Sequence, residues 1–318
     1  MDYSPPIPLL IDTDAGVDDA GALMLALASP RGHPLAITTV HGNVPVRQAT
    51  QNVSLVLDVM GREVPVYGGA SRPLLGAPLD ASDIMGPDGL GGVTAWMQPS
   101  MRQTRSSIAA VALVQWLTHQ PEPIRTHLVS LGPLTNLALA LALKPDLPRY
   151  VARLVIMGGT SEARGNASAV AEFNFFADPE AAARVLGAGF KEVWLLPWET
   201  SLRYPIAWAE FDALLQCKNP RTQFLRNITG YLRERLQRLG LPGIVLPDFL
   251  AMLVALYPEC VQESIPVHAS VETEGRLGRG LLAISWLPGG SDPNLYLVTR
   301  LDLQMGLEVL RDLLIGGN

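Results

Sequence analysis

The sequence is sparing with charge, aromatic rings and cysteine. Of its 318 residues, 17% are charged and 6% aromatic, against a usual charged share of about 25%. With 48% hydrophobic residues and no low-complexity stretch, this excludes a disordered chain, a collagen and a long coiled coil. The two cysteines, Cys217 and Cys260, stand far apart and outside any C-x-x-C spacing, so neither a disulfide framework nor a zinc site is expected. There is no Lys/Arg cluster, and 24 basic residues face 30 acidic ones for a net charge of −6. Such a chain attracts no polyanion, so the expected partners are small molecules, with no nucleic acid and no membrane surface among them. The longest apolar run, residues 128–143, is broken by Gly132-Pro133 and falls short of the ~20 residues needed to span a bilayer. The opening MDYSPPIPLL lacks the basic, apolar and small-residue order of a signal peptide. A cytoplasmic protein is therefore expected.

What is present is a rhythm. Residues 7–12 (IPLLID), 35–40, 126–131, 153–158 and 192–197 are short apolar or β-branched runs of the kind buried on both faces of a parallel sheet. Between them lie Ala- and Leu-rich helical segments, such as 46–61, 106–120 and 178–189. This alternation predicts an α/β fold: a single open, mostly parallel sheet with helices on both faces, Rossmann-like, over one domain spanning 1–318. Three late runs, 265–273, 280–286 and 294–300, predict a small C-terminal strand extension before a closing helix at 302–314. Two long interruptions, the Gly- and Pro-rich 67–92 and the segment 158–179, are expected to be functional or mobile loops. A charged helical stretch, 220–240, is expected to act as a lid or an oligomer contact.

The first strand runs into Asp12-Thr13-Asp14-Ala15-Gly16-Val17-Asp18-Asp19, four carboxylates in eight residues. In an open α/β sheet, ligands bind outside such strand ends. One or two of these aspartates suffice to cap the next helix. Four anions this close repel one another unless a cation offsets them, and all-oxygen ligation suits Ca²⁺ or Mg²⁺. An EF-hand is excluded, since Gly16 is fifth and Leu23 twelfth counted from Asp12. A D-x-D phosphatase of the haloacid dehalogenase type, using Asp12 and Asp14, remains an alternative.

These residues resemble the inosine-uridine preferring nucleoside hydrolase family, whose fingerprint D-x-D-P-G-x-D-D reads DTDAGVDD here, with Ala15 in the proline place. The likeness continues in order through Gly42-Asn43, DGLGG at 88–92, LGPLTNLALA at 131–140, GNASAVAEFNFFADPEAA at 165–182 and PDFLAM at 247–252. The resemblance implies a Ca²⁺-dependent hydrolase that releases base and ribose from a ribonucleoside, working as a homodimer or homotetramer. It implies that Asp14 is both general base and metal ligand, with Asp19, Asp248 and the Leu131 carbonyl completing the protein's ligands. Asp18, Asn43 and Asn174 would bind ribose hydroxyls, Asn166 and Glu172 the 5′-hydroxyl, and Asp12 would support the turn. The chemistry suits these residue types, because positive charge grows on the sugar as an N-glycosidic bond breaks and carboxylates stabilise it.

Two departures stand out. Members of the family often carry His before the late Asp and His-Gly before DGLG; this chain has Pro247 and Met85-Gly86. No leaving-group acid is identified. Trp198, Trp208, Phe249 and Tyr231 are candidates to stack on the base instead, and His41 is a candidate pocket residue. A noncatalytic nucleoside- or ribose-binding protein is thus a further alternative.

Overall fold

A computed structural model describes residues 5–121, 124–286 and 291–315; the first four residues of the opening segment lie outside it. Among the described residues, the N-terminal half contains β1 (Ile7–Thr13), α1 (Val17–Ala28), β2 (Gly32–Thr39), α2 (Val46–Met60), β3 (Val66–Gly68), α3 (Ser82–Met85), β4 (Thr104–Arg105), α4 (Ala109–Thr118), β5 (His127–Ser130) and α5 (Thr135–Leu143). There follow β6 (Arg153–Met157), α6 (Phe173–Ala177), α7 (Pro179–Leu186), β7 (Val193–Leu196), α8 (Trp198–Leu202), β8 (Ile206–Ala207), α9 (Trp208–Leu214) and α10 (Pro220–Arg238). The chain closes with β9 (Gly243–Ile244), α11 (Pro247–Leu256), β10 (Val261–Val271), β11 (Leu282–Ser285), β12 (Leu295–Leu301) and α12 (Leu303–Ile315).

Ten of the strands form one sheet in the order β11-β10-β12-β7-β6-β5-β1-β2-β3-β4. It is parallel from β12 through β4. Only β10 runs antiparallel, pairing with β12 and β11, so the expected C-terminal extension is present. β8 and β9 pair separately. The alternation of side chains along each strand divides the core. Leu9 and Ile11 of β1 pack on one face with α1, α2, α10 and α11, whereas Leu10 packs on the other with α4, α5 and α7. The pleat thus gives each face its own apolar set, as a sheet covered on both sides requires.

The segment 67–92 is less irregular than its composition implies. Its first residues extend β3, and residues 82–85 form α3. β3 and β4 have three and two residues, too short for alternation to register in sequence.

The chain order reverses at β1. β2, β3 and β4 extend the sheet on one side of it, and β5, β6 and β7 on the other. The crevice between the carboxyl ends of β1 and β5 is therefore the switch point where doubly wound sheets bind ligands. Beneath it, Asn136 of α5 ties three segments together. Its amide nitrogen donates to Asp12 Oδ1 at 2.8 Å and to the Thr39 carbonyl at 2.9 Å, and its Oδ1 accepts the Ala70 N–H at 2.8 Å. Asn136→Ala strands buried polar groups on all three, and its unfolding free energy in urea titration is expected to fall by roughly 3 kcal/mol.

Candidate active site

Three carboxylates converge at the switch point. Asp18 and Asp19 occupy the first turn of α1, and Asp248 the first turn of α11. All three are buried, with one oxygen from each lying within 4.8 Å of the others. The two helices contribute the positive ends of their dipoles to this point, which favours anions there. That offset is partial. Burial and the Asp19 charge push Asp18 up to about 7. Burial, with the charges of Asp18, Asp19 and Asp14, holds Asp248 well above the usual carboxylate range. Asp18 Oδ1 and Asp248 Oδ1 are buried and accept no hydrogen bond. Buried carboxyl oxygens left without a partner are costly in a fold, and a hard divalent cation with oxygen ligands fits them.

Asp14 lies alongside, fully buried. Its Oδ2 accepts the Asn43 backbone N–H at 2.7 Å and its Oδ1 the Asn43 side-chain amide at 3.1 Å. The same amide donates to Asp19 Oδ2 at 3.1 Å, so Asn43 bridges two carboxylates. Asp19 also caps its own helix, since Oδ2 accepts the Gly16 N–H at 2.8 Å and Oδ1 the Thr13 hydroxyl. Gly42 is required by proximity, because a Cβ there would lie 2.0 Å from Asp14 Oδ2. Burial and the Asp19 charge raise Asp14 well above the ordinary carboxylate value.

A cavity of about 290 Å³ opens above the cluster. Asp18, Asn43, Leu131, Asn166, Glu172, Asn174 and Asp248 line it; Asp14 and Asp19 lie beneath the lining. The Leu131 carbonyl accepts the Asn174 side-chain amide at 2.8 Å. Glu172 caps α6 and accepts N–H groups from Asn174 at 2.8 Å, Phe175 at 3.3 Å and Gly159 at 2.9 Å. Asn166 Oδ1 accepts the Phe173 N–H at 2.8 Å. A further carboxylate, Glu199, takes the N–H groups of Ser161, Glu162 and Arg164 and so shapes the loop that carries Asn166.

Several expectations are corrected. For Asp12 the correction falls on the phosphatase alternative alone: it does not line the cavity, and Thr38 and Asn136 hold its Oδ1, in keeping with the expected support of the turn. His41 is not a lining residue. It is buried, pairs through Nε2 with Thr135 Oγ1 at 3.1 Å, and is pushed down to about 4 by burial, hence neutral. Of the aromatic candidates only Trp198 lines the cavity. Trp208 donates to the Leu241 carbonyl under the Arg233 guanidinium, Phe249 is core, and Tyr231 is exposed. Phe173, passed over in sequence, does line it. So do leucines of α10, which gives that charged helix a wall of the cavity. The four-residue spacing of Leu232 and Leu236, continued by Leu239 just past the helix end, is the signal that marks this face.

This is an α/β protein with a cation-ready carboxylate pocket at the switch point of its sheet. Residues 9–308 match the family described as inosine-uridine preferring nucleoside hydrolase. The non-specific ribonucleoside hydrolase RihC of Escherichia coli is 34% identical over 300 residues, covering 94% of this chain and 95% of its own. The pyrimidine-specific ribonucleoside hydrolase RihA of an Enterobacter species is 33% identical over 310 residues, covering 96% and 97%. The solved structure of an inosine-guanosine nucleoside hydrolase superposes with a TM-score of 0.89 at 36% identity, over 96% of this chain and 98% of that one. The chain belongs to the inosine-uridine preferring nucleoside hydrolase family. The expectation of a ribonucleoside hydrolase holds at that level, and the phosphatase alternative is overturned.

The turn that carries the carboxylates is strained at one residue. Ala15 has φ +53°, a left-handed conformation that costs a residue with a Cβ about 1–2 kcal/mol. Its N–H bonds Thr13 Oγ1 at 3.0 Å. The family's proline fits neither feature here, as its φ is fixed near −65° and it has no N–H. Ala15→Pro is expected to cost ~3 kcal/mol or more, and Ala15→Gly to gain about 1 kcal/mol, by urea denaturation.

Glu172 gives a pH signature. Burial outweighs its three N–H bonds and raises its pKa from 4.5 to about 7. Between those values the folded chain keeps a proton that the unfolded chain releases, so stability declines as pH rises through the window and levels off above it. The slope is up to about 1.4 kcal/mol per pH unit for one proton. Unfolding titrations of Glu172→Gln from pH 4 to 8 are expected to show a slope shallower than wild type by up to that amount.

Proposed function

We propose that the protein hydrolyses the N-glycosidic bond of ribonucleosides, giving free base and ribose, with Ca²⁺ held at the carboxylate cluster. The observation that carries this reading is the convergence of Asp18, Asp19 and Asp248, with two oxygens unsatisfied, at the floor of a cavity of about 290 Å³. Asp14, Asp19, Asp248 and the Leu131 carbonyl would hold the ion, with Asp18 close enough to share it. When bound, the ion supplies positive charge that offsets the buried carboxylates and orients a sugar diol. Asp14 is the general base that takes a proton from the attacking water, and Asn43 fixes its orientation through two hydrogen bonds. Asp18, Asn43 and Asn174 bind the ribose hydroxyls, and Asn166 and Glu172 the 5′-hydroxyl. As C1′ becomes cationic, the surrounding carboxylates stabilise it.

The reading extends to a homodimeric or homotetrameric, cytoplasmic enzyme of purine and pyrimidine salvage built on one domain. Family membership supports it, and no helix among the described residues is long and apolar enough to cross a membrane.

Ribose release from inosine and uridine is expected with Ca²⁺ and is expected to disappear on chelation and return on adding the ion back. Asp14→Ala is expected to lower kcat ~10²–10⁴-fold while nucleoside binding, followed by calorimetry, partly survives. Wild-type activity in that variant overturns Asp14 as base, and binding without turnover in the wild type favours the noncatalytic alternative.

A further inference from the structure

One buried side chain outside the cavity binds two separate loops at once. Asn52 lies in the middle of α2, is fully buried and does not line the cavity. Its amide nitrogen donates to the Ala15 carbonyl at 2.9 Å and to the Asp88 carbonyl at 2.7 Å. A carbonyl only accepts, so both bonds need the NH₂ side of the amide, and its two hydrogens are fully used. The other side is set as well, because Asn52 Oδ1 accepts the Gln48 side-chain amide at 2.9 Å, one helical turn earlier. The two carbonyls stand where irregular backbone needs a partner. That of Ala15 precedes the N-cap Gly16, whose own carbonyl takes the Ala20 N–H. Ala15 is the residue at φ +53°, so Asn52 holds a turn that the backbone alone disfavours. Asp14 stands directly before that turn, and Gly16, whose N–H binds Asp19 Oδ2 at 2.8 Å, directly after it. Asp88 opens the DGLGG turn, where the Gly91 N–H binds the Met85 carbonyl at 2.9 Å and a Cβ on Gly89 would lie 2.7 Å from Val44 Cγ1.

We propose that Asn52 is a positioning residue for hydrolysis: by binding the carbonyls of Ala15 and Asp88 it fixes the turn that aims Asp14, and Gln48 fixes the amide that does so. The inference rests on the hydrolase reading and adds to it a residue that lies outside the cavity lining. Acting through Asp14, Asn52 bears on the chemical step, where a displacement of about 1 Å costs on the order of 10²-fold. Nucleoside affinity depends on it less, because Asn166, Glu172 and Asn174 are held by the Phe173 N–H, the Gly159 N–H and the Leu131 carbonyl. The route through Asp14 is also what separates positioning from general support. Two residues that act as a unit are not additive: once Asp14 is removed, losing the group that aims it costs nothing more.

The test is a double-mutant cycle on the full chain with Ca²⁺, read by steady-state ribose release from inosine and uridine. Asn52→Leu is expected to lower kcat ~10–100-fold with KM within about threefold of wild type. In the Asp14→Ala background the same substitution is expected to lower the residual kcat by less than about twofold, and to leave the nucleoside Kd, measured by calorimetry in that background, within about threefold. Val53→Ala, which removes core packing next to Asn52, is expected to lose stability while keeping kcat. Gln48→Leu, at a half-buried position, removes only the bond that orients the amide; a several-fold lower kcat is expected, and it carries the same cycle if Asn52→Leu does not fold. Wild-type kcat in the folded Asn52 variant, or in Gln48→Leu where that variant does not fold, overturns the inference. So does the full loss repeated on top of Asp14→Ala. Both outcomes leave the hydrolase reading standing, whereas no ribose from the wild-type chain overturns that reading and this inference with it.

Discussion

Burying several carboxylates at one point is the constraint around which this molecule is arranged. Asp18 and Asp19 start one helix and Asp248 starts another, so two helix N-termini have to meet at the end of β1. α1 and α11 pack against each other on the same face of the sheet, and their apolar sides supply the contact that holds like charges together. Repulsion is countered locally by the Asn43 amide, which reaches both Asp14 and Asp19, and by the N–H of Gly16 on Asp19. The electrostatic cost is concentrated where a cation can offset it and is supported by packing elsewhere.

The parts of the fold visible in sequence are those whose physics is local. β1, α2 and the buried strands β5, β6 and β7 each carry a continuous apolar or periodic signal, and each appears within a few residues of expectation. β3 and β4 carry no such signal, because two or three residues cannot display a period, and only their pairing with β2 and each other makes them strands. The site divides in the same way. Carboxylates and amides crowded at a strand end are conspicuous, since burying them needs an explanation. A leucine that lines a cavity looks like a leucine in the core, so the wall from α10 emerges only when the helix is placed over the pocket. Side-chain partners are equally hidden: nothing local says that His41 turns to Thr135 while its neighbour Asn43 turns to Asp14.

Several carboxylates near the pocket hold the backbone of the loops that shape it. Glu172 and Glu199 gather backbone N–H groups and so fix irregular chain without secondary structure. Asp88 does the same for the DGLGG turn, accepting the N–H groups of Leu90, Gly92 and Thr94. Long loops in a compact protein need such anchors, because their backbone groups find no ladder to join.

The distance in sequence between Asp19 and Asp248 bears on how the protein is made. The carboxylates from α1 leave the ribosome early, yet the partner that completes their cluster arrives more than two hundred residues later, on α11. Until α11 docks, α1 presents an apolar face with nothing to cover it and an anionic cluster lacking one member. A chain that ends before α11 lacks both the third carboxylate of the cluster and the helix that packs against α1.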